Sequence, residues 1–236
     1  PQPKTNPMHC PKCYSTNFVK AGFSFGKQRH KCKDCNYYFS VQCKSTKKPD
    51  EVKEMAIKMY LEGLGFHAIG RLLGISYGTT VYQWVEQLGQ KHQIKPDDKE
   101  QIDIVELDEI HSYTGHKKNH CWTWITIDRH TKQVLGFVCG RRDSKTFEKL
   151  YDNINPNNIK LFCSDYWKSY AEVIPNHKHL QSKDQTFTIE GYNSLIRHYL
   201  ARFKRKTKCY SKSVQMIESS LNLLFAKWGG GLGYIF

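Results

Sequence analysis

The stretch Ile159-Lys-Leu-Phe-Cys-Ser-Asp165 predicts a buried strand that closes on an acid, because a short apolar run ends there on a carboxylate. Upstream, strands are predicted over Ile102 to Asp108, His120 to Asp128 and Lys132 to Arg141. The turn Asp128-Arg129-His130-Thr131 suits a hairpin between the last two. A helix is predicted from Ser144 to about Asn155, with Phe147, Leu150, Tyr151 and Ile154 on one face. Downstream come a helical turn from Trp167 to Val173, a strand from His179 to Ser182, a long helix from Thr188 and a last helix from Ser213 to Trp228. Three strands, helix, strand, helix, strand, helix describe an α/β domain with a mixed sheet over residues 102–228.

That topology gathers carboxylates. Asp108 ends the first strand, Asp165 follows the fourth, and those two strands are expected to be neighbours. Glu190 lies in the first turn of the long helix, which can pack beside them. Hard divalent ions such as magnesium or manganese take carboxylate oxygens, and such a cluster can hold two ions about 3.5–4 Å apart. Glu106 shares the strand face of Asp108 and is an alternative to it, whereas Glu109 is expected on the opposite face. On the long helix, Tyr192, Leu195, Ile196, Tyr199, Leu200 and Phe203 form an apolar stripe, and Glu190, Asn193 and Arg197 share another face. Taken alone, Glu190 reads equally well as a helix-capping acid. Arg202, Lys204, Arg205, Lys206 and Lys208 follow with no intervening acid, a pattern that fits a solvated basic face or a clamp on a nucleic-acid backbone. Asp128, Asp143 and Asp184 read as turn residues, and Cys121, Cys139 and Cys163 as core thiols.

Two smaller regions precede this domain. In residues 1–45, Cys10-Pro-Lys-Cys13 and Cys32-Lys-Asp-Cys35 place two pairs of thiolates on tight turns, the ligand pattern of a closed, structural zinc site in a small β zinc ribbon. His9 and His30, beside those ligands, are expected at the surface near DNA. Residues 50–89 read as three short helices, the first capped by Asp50 and the third by Ser76, with a turn at Gly74. The pattern is that of an all-α helix-turn-helix, in which Tyr77, Thr79, Thr80 and Gln83 face the major groove. Residues 90–101 are a polar linker, and 229–236 a glycine-rich tail.

Composition agrees with a polyanionic partner. Lys and Arg number 36 against 22 Asp and Glu, a formal net charge of +14. Nine cysteines, four of them in two close pairs, argue against a secreted disulfide framework. With no apolar run long enough for a membrane span and no signal-peptide core, the protein is expected to stay in the compartment where it is made.

Taken in series, these residues resemble bacterial transposases of the Insertion Sequence One family. The likeness is carried by Val105-Glu-Leu-Asp-Glu109, Ser164-Asp-Tyr-Trp-Lys-Ser-Tyr170, Ile189-Glu-Gly-Tyr-Asn193 with Arg197-His-Tyr-Leu-Ala-Arg202, and Tyr210-Ser-Lys-Ser-Val214. The resemblance implies a ribonuclease H-like catalytic domain with Asp108, Asp165 and Glu190 as its acidic triad. It also implies roles near the metal or the DNA end for Asn193 and Arg197. The implied activity is binding of terminal inverted repeats, metal-dependent cleavage at the 3′ end and transfer of that strand into target DNA, by a homodimer or higher oligomer. A non-catalytic regulator descended from a transposase, or a structure-specific nuclease on the same fold, would share many of these features.

Overall fold

A computed structural model of the protein describes residues 8–40, 48–94 and 101–232. The end of the first module (41–45), residues 95–100 of the linker and the last four tail residues fall outside the described residues. The chain divides into two compact units, Pro1–Lys48 and Pro49–Phe236.

In the first unit, strands β1 (Phe18–Ser24), β2 (Lys27–Cys32) and β3 (Tyr38–Ser40) form an antiparallel sheet in that order. The two CxxC turns repeat one geometry. The Cys10 N–H donates to Ser15 O at 2.8 Å, and the Cys32 N–H donates to Tyr37 O at 2.9 Å. Each second cysteine is followed by a residue in the left-handed region, Tyr14 at φ 58° and Asn36 at φ 56°. Contrary to the expectation of a surface position, His30 is buried. Its ring packs on Phe18 and Phe39, filling a core too small to be closed by aliphatic side chains alone.

The second unit begins with α1 (Asp50–Tyr60), α2 (Phe66–Leu72) and α3 (Gly78–Lys91). The expected caps are displaced. Pro49 and Tyr77 occupy the N-cap positions and no side chain caps either helix; Asp50 is already inside α1 and Ser76 lies outside α3. Gly74 makes the turn at φ +61°, a conformation that favours glycine. The three helices do not stand apart from the α/β region. Helix α3 lies against α7 (Val214–Trp228) so closely that a Cβ on Gly89 would come within 2.2 Å of Ser219 O. Ala56, Tyr60, Val81 and Val85 share one hydrophobic core with Ile110, Ile196 and Leu221.

Five strands form the main sheet: β4 (Ile102–Tyr113), β5 (His120–Asp128), β6 (Val134–Gly140), β7 (Ile159–Ser164) and β8 (His179–Gln181). Their order is β6-β5-β4-β7-β8, with β4-β5-β6 antiparallel and β7 and β8 added parallel to β4. That is the arrangement of a ribonuclease H-like core. Helices α4 (Ser144–Asn153) and α5 (Lys168–Val173) cover one face through Val105, Leu107, Trp124, Phe147 and Tyr170. On the other face lie α6 (Phe187–Tyr199) and α7. Strand β6 is shorter than expected because Lys132 turns at φ 63°. Asp128 stabilises this hairpin, accepting from the His130 N–H and the Thr131 hydroxyl, and Asp143 caps α4 by accepting from the Thr146 N–H. Ser213 caps α7 in the same way through the Met216 N–H.

Candidate active site

Strand β4 does not stop at Asp108, because β5 pairs with it all the way from Val105 to Tyr113. The parallel partner β7 is shorter, and the last β4–β7 rung is Glu106↔Cys163. Two residues beyond that rung lie Asp108 and Asp165, level with each other at the carboxyl ends of the parallel pair. Here the sheet has lost a strand on one side and its edge is open, the usual place for a ligand in an α/β sheet.

Helix α6 is fastened along the same strand. Glu106 is fully buried, and its Oε2 accepts the N–H groups of Thr188 (2.8 Å) and Ile189 (3.0 Å) in the first turn of α6. Its other oxygen accepts from Arg129 Nε at 2.7 Å. Two residues along β4, the Asn193 side-chain amide donates to Asp108 Oδ2 at 2.7 Å. The steps match because two strand residues and four helix residues each advance about 6–7 Å. Thus Glu106 is committed to anchoring the helix, and Asp108 is the acid of that face turned to the open edge.

Asp165 Oδ1 accepts the Trp167 N–H at 2.9 Å, which fixes its rotamer at the start of the turn into α5. Burial pushes the Asp108 carboxyl up to about 6, reinforced by the negative charges of Asp165 and Glu190 and opposed by bonds from the Glu109 N–H and Asn193. The helix face Glu190–Asn193–Arg197 is present: Asn193 is buried, Arg197 half-buried and Glu190 exposed. Burial lowers Arg197, as does Arg205, and Asp108 acts in the opposite sense. Glu190 stands further out than the other acids. The carboxylates whose oxygens lie within 4.8 Å of one another are Asp108, Asp165 and Glu109.

Glu109 is the residue that sequence reasoning set aside. It leaves the opposite face of β4, as strand alternation requires, but β7 has ended and side chains from both faces reach the same edge. Burial raises its carboxyl to about 7, the neighbouring Arg142 guanidinium opposes the shift, and Asp108 and Asp165 add to it. The only signal for it in the sequence was its adjacency to Asp108.

A family profile described as IS1 transposase matches residues 102–227. The chain belongs to the IS1 transposase family. Among curated relatives, the insertion element iso-IS1n protein InsB of Shigella dysenteriae is 36% identical over 52% of this chain and 95% of its own length. The insertion element IS1 4 protein InsB of Escherichia coli K12 is 34% identical over 49% of this chain and 69% of its own. The HTLV-2 integrase catalytic core domain, solved in complex with magnesium, aligns over 57% of this chain and 86% of that one at 15% identity and a TM-score of 0.37. Membership in a transposase family makes DNA the partner class, and among the described residues no helix is long and apolar enough to cross a membrane.

This IS1-family chain carries a second cluster in its first unit. The Sγ atoms of Cys10, Cys13, Cys32 and Cys35 lie within 4.8 Å of one another, with Cys10–Cys35 at 3.6 Å and Cys13–Cys32 at 3.5 Å. Four sulfurs bound to one zinc at about 2.3 Å stand about 3.8 Å apart, so the donor set and spacing fit a tetrahedral zinc with no open position. Of the residues expected at the major groove, Tyr77, Thr79 and Gln83 are exposed and Thr80 half-buried. Lys204, Arg205, Lys206 and Lys208 are exposed as a basic run. Arg202 is a correction. It is buried, donates to the Tyr60 hydroxyl at 2.7 Å and to Ser211 Oγ, and stacks near Phe66, so it ties α1 to the chain after α6 and does not face DNA.

Proposed function

We propose that the protein is the transposase of an insertion element. It binds the terminal inverted repeats, hydrolyses the element's end to free a 3′ hydroxyl, and joins that hydroxyl to target DNA. The observation that carries this reading is the convergence of Asp108 and Asp165 at the open carboxyl ends of β4 and β7, under the Glu190–Asn193–Arg197 face of α6.

An all-oxygen, partly buried donor set with mutually repelling charges fits hard divalent cations, so Asp108, Asp165 and Glu190 would hold magnesium or manganese. When bound, two such ions activate the attacking oxygen and stabilise the leaving one. The protein's own groups fix the geometry. Asn193 orients the Asp108 carboxylate, the Trp167 N–H orients Asp165, and Glu106 locks the start of α6 so that Glu190 and Arg197 overhang the edge. Arg197 and the run Lys204–Lys208 supply positive charge for the phosphodiester backbone. Tyr77, Thr79, Thr80 and Gln83 would read bases in the major groove, and the zinc-held unit would add a second grip on the repeat. Two ends must be cut and joined together, so at least two protomers act, on the nucleoid in the bacterial cytoplasm.

The test is an incubation with terminal-repeat DNA, a target plasmid and magnesium, comparing the wild type with Asp165→Asn. Strand-transfer products that drop at least a thousandfold in the variant, with repeat binding retained, are the expected result. Equal activity removes Asp165 from the mechanism. Cleavage without joining makes the protein a nuclease.

A further inference from the structure

Glu109 is held as though for a purpose that the acidic triad does not supply. Its side chain is only 1% exposed. One oxygen, Oε2, accepts from Arg142 Nη2 at 3.2 Å. The other, Oε1, is buried and makes no hydrogen bond of normal geometry; the buried Tyr170 hydroxyl lies against the same carboxyl and likewise makes none. A buried carboxylate oxygen left in that state costs several kcal/mol unless something cationic or protic meets it.

Its surroundings are built with care on the Arg142 side. The Arg142 guanidinium lies 3.8 Å from the ring centroid of Trp167 and 4.6 Å from that of Trp122, so two indoles sandwich it. An arginine stacked between aromatic faces is restrained in both plane and direction. It can therefore aim Glu109 without competing for its free oxygen. On the opposite side, Asn193 gives its amide nitrogen to Asp108, and its Oδ1 is likewise buried and without a partner. Both unpartnered acceptors thus belong to side chains that touch or adjoin Asp108.

The distances suit a shared ion. Carboxylate oxygens of Asp108, Glu109 and Asp165 fall within 4.8 Å of one another. An ion with bonds of about 2.1–2.5 Å spans ligand oxygens up to about 4–5 Å apart. Glu190, exposed on α6, is outside that set.

We propose that Glu109 is a fourth carboxylate of the reaction centre, whose Oε1 shares one divalent cation with Asp108 and Asp165 from the buried side, with Arg142 as its positioning residue. The proposal rests on reading the acidic edge as a metal centre. It would give the inner ion three acid ligands, two from β4 and one from the exit of β7, and leave Glu190 to an outer, DNA-facing ion. Glu109 then stands in direct contact with a reacting centre to which Asp108 alone would otherwise connect β4.

Binding of Mn2+ to the zinc-loaded full chain, followed by electron paramagnetic resonance and without DNA, tests this independently of catalysis. The variants are Glu109→Gln, the paired Glu109→Gln/Arg142→Gln, and Asp165→Asn, each checked for folding by thermal melting of the zinc-loaded chain without added manganese or chelator. The paired variant removes the buried ion pair together, so neither charge is left uncompensated if the single change fails to fold. Expected is a tenfold or greater loss of the tighter Mn2+ affinity in whichever Glu109 variant is folded, and in Asp165→Asn. If Asp165→Asn loses affinity while the folded Glu109 variant stays within twofold of the wild type, Glu109 is not a ligand and this inference falls alone. If Asp165→Asn also keeps wild-type affinity, the metal-centre reading itself fails.

Discussion

The protein has two clusters of metal-binding character, and they are built in opposite ways. The cysteine cluster takes its ligands from two short turns within one small sheet, each repeating the other's backbone geometry. The carboxylate cluster brings together Asp108 and Glu109 of one strand and Asp165 at the exit of a second, with Glu190 exposed on a helix that crosses the same edge. The first is a closed shell of four soft donors, in which a bound metal would replace a core that so short a segment cannot build. The second is an open edge of hard donors, assembled only when a large core has already formed around it. A donor set suited to a metal that makes a fold and one suited to a metal that uses a fold are thereby separated in the same chain.

The sharpest way to break this contrast is to remove zinc. Chelation, or Cys32→Ser, is expected to unfold residues 8–40 completely, since zinc binding to such modules is worth on the order of 10–16 kcal/mol of folding free energy. The unit from Pro49 onward should keep its melting transition. Amide exchange resolved by segment reads both, and protection surviving in β1 and β2 would overturn the structural role of the cysteines.

Next in size is the anchor of the carboxylate site. Glu106→Ala strands Arg129 and two helix N–H groups, a loss of about 3–5 kcal/mol for a broken buried pair. Here the second unit should melt earlier while the zinc-held unit is unaffected. An unchanged denaturation midpoint would show that α6 is fixed by other contacts.

A third prediction concerns pH. The Asp108 and Glu109 carboxyls are raised to about 6 and about 7 in the folded chain. A raised folded-state value means that the stabilising contribution is present at low pH and lost as pH climbs through 6–7, where both acids ionise beside Asp165. Divalent cations should restore what is lost. Magnesium is therefore expected to raise the melting temperature more at pH 8 than at pH 5, and an equal rise at both values would contradict the burial of these charges. The cysteine cluster should show no such dependence on magnesium.

The smallest effect belongs to the exposed basic run. Replacing Lys204, Arg205 and Lys206 with Gln should lower repeat-DNA affinity at all sequences alike. It should also flatten the log–log salt dependence by about 0.9 for each phosphate that is no longer neutralised. A weakening confined to one repeat sequence would instead assign these residues to base reading.

The cysteine pattern was legible in the sequence because its members are local; so were the succession of strands and helices and the Asp165 exit, because apolar runs and turns mark them. The face shared by Glu190, Asn193 and Arg197 was legible for the same reason, since helical spacing alone puts them together. Linear pattern could not choose between Glu106 and Asp108, which alternate onto one face; the choice follows from which of them meets the α6 N–H groups. It could not separate Arg202 from the lysines beside it, because burial against Tyr60 comes from a helix far away in the chain. Nor could it bring Glu109 to the acids, since alternation sends it to the other face and only the early end of β7 opens the edge to both. Residue type and spacing determined which chemistry this chain carries; where each side chain ends up depended on contacts between segments that sequence neighbours do not make.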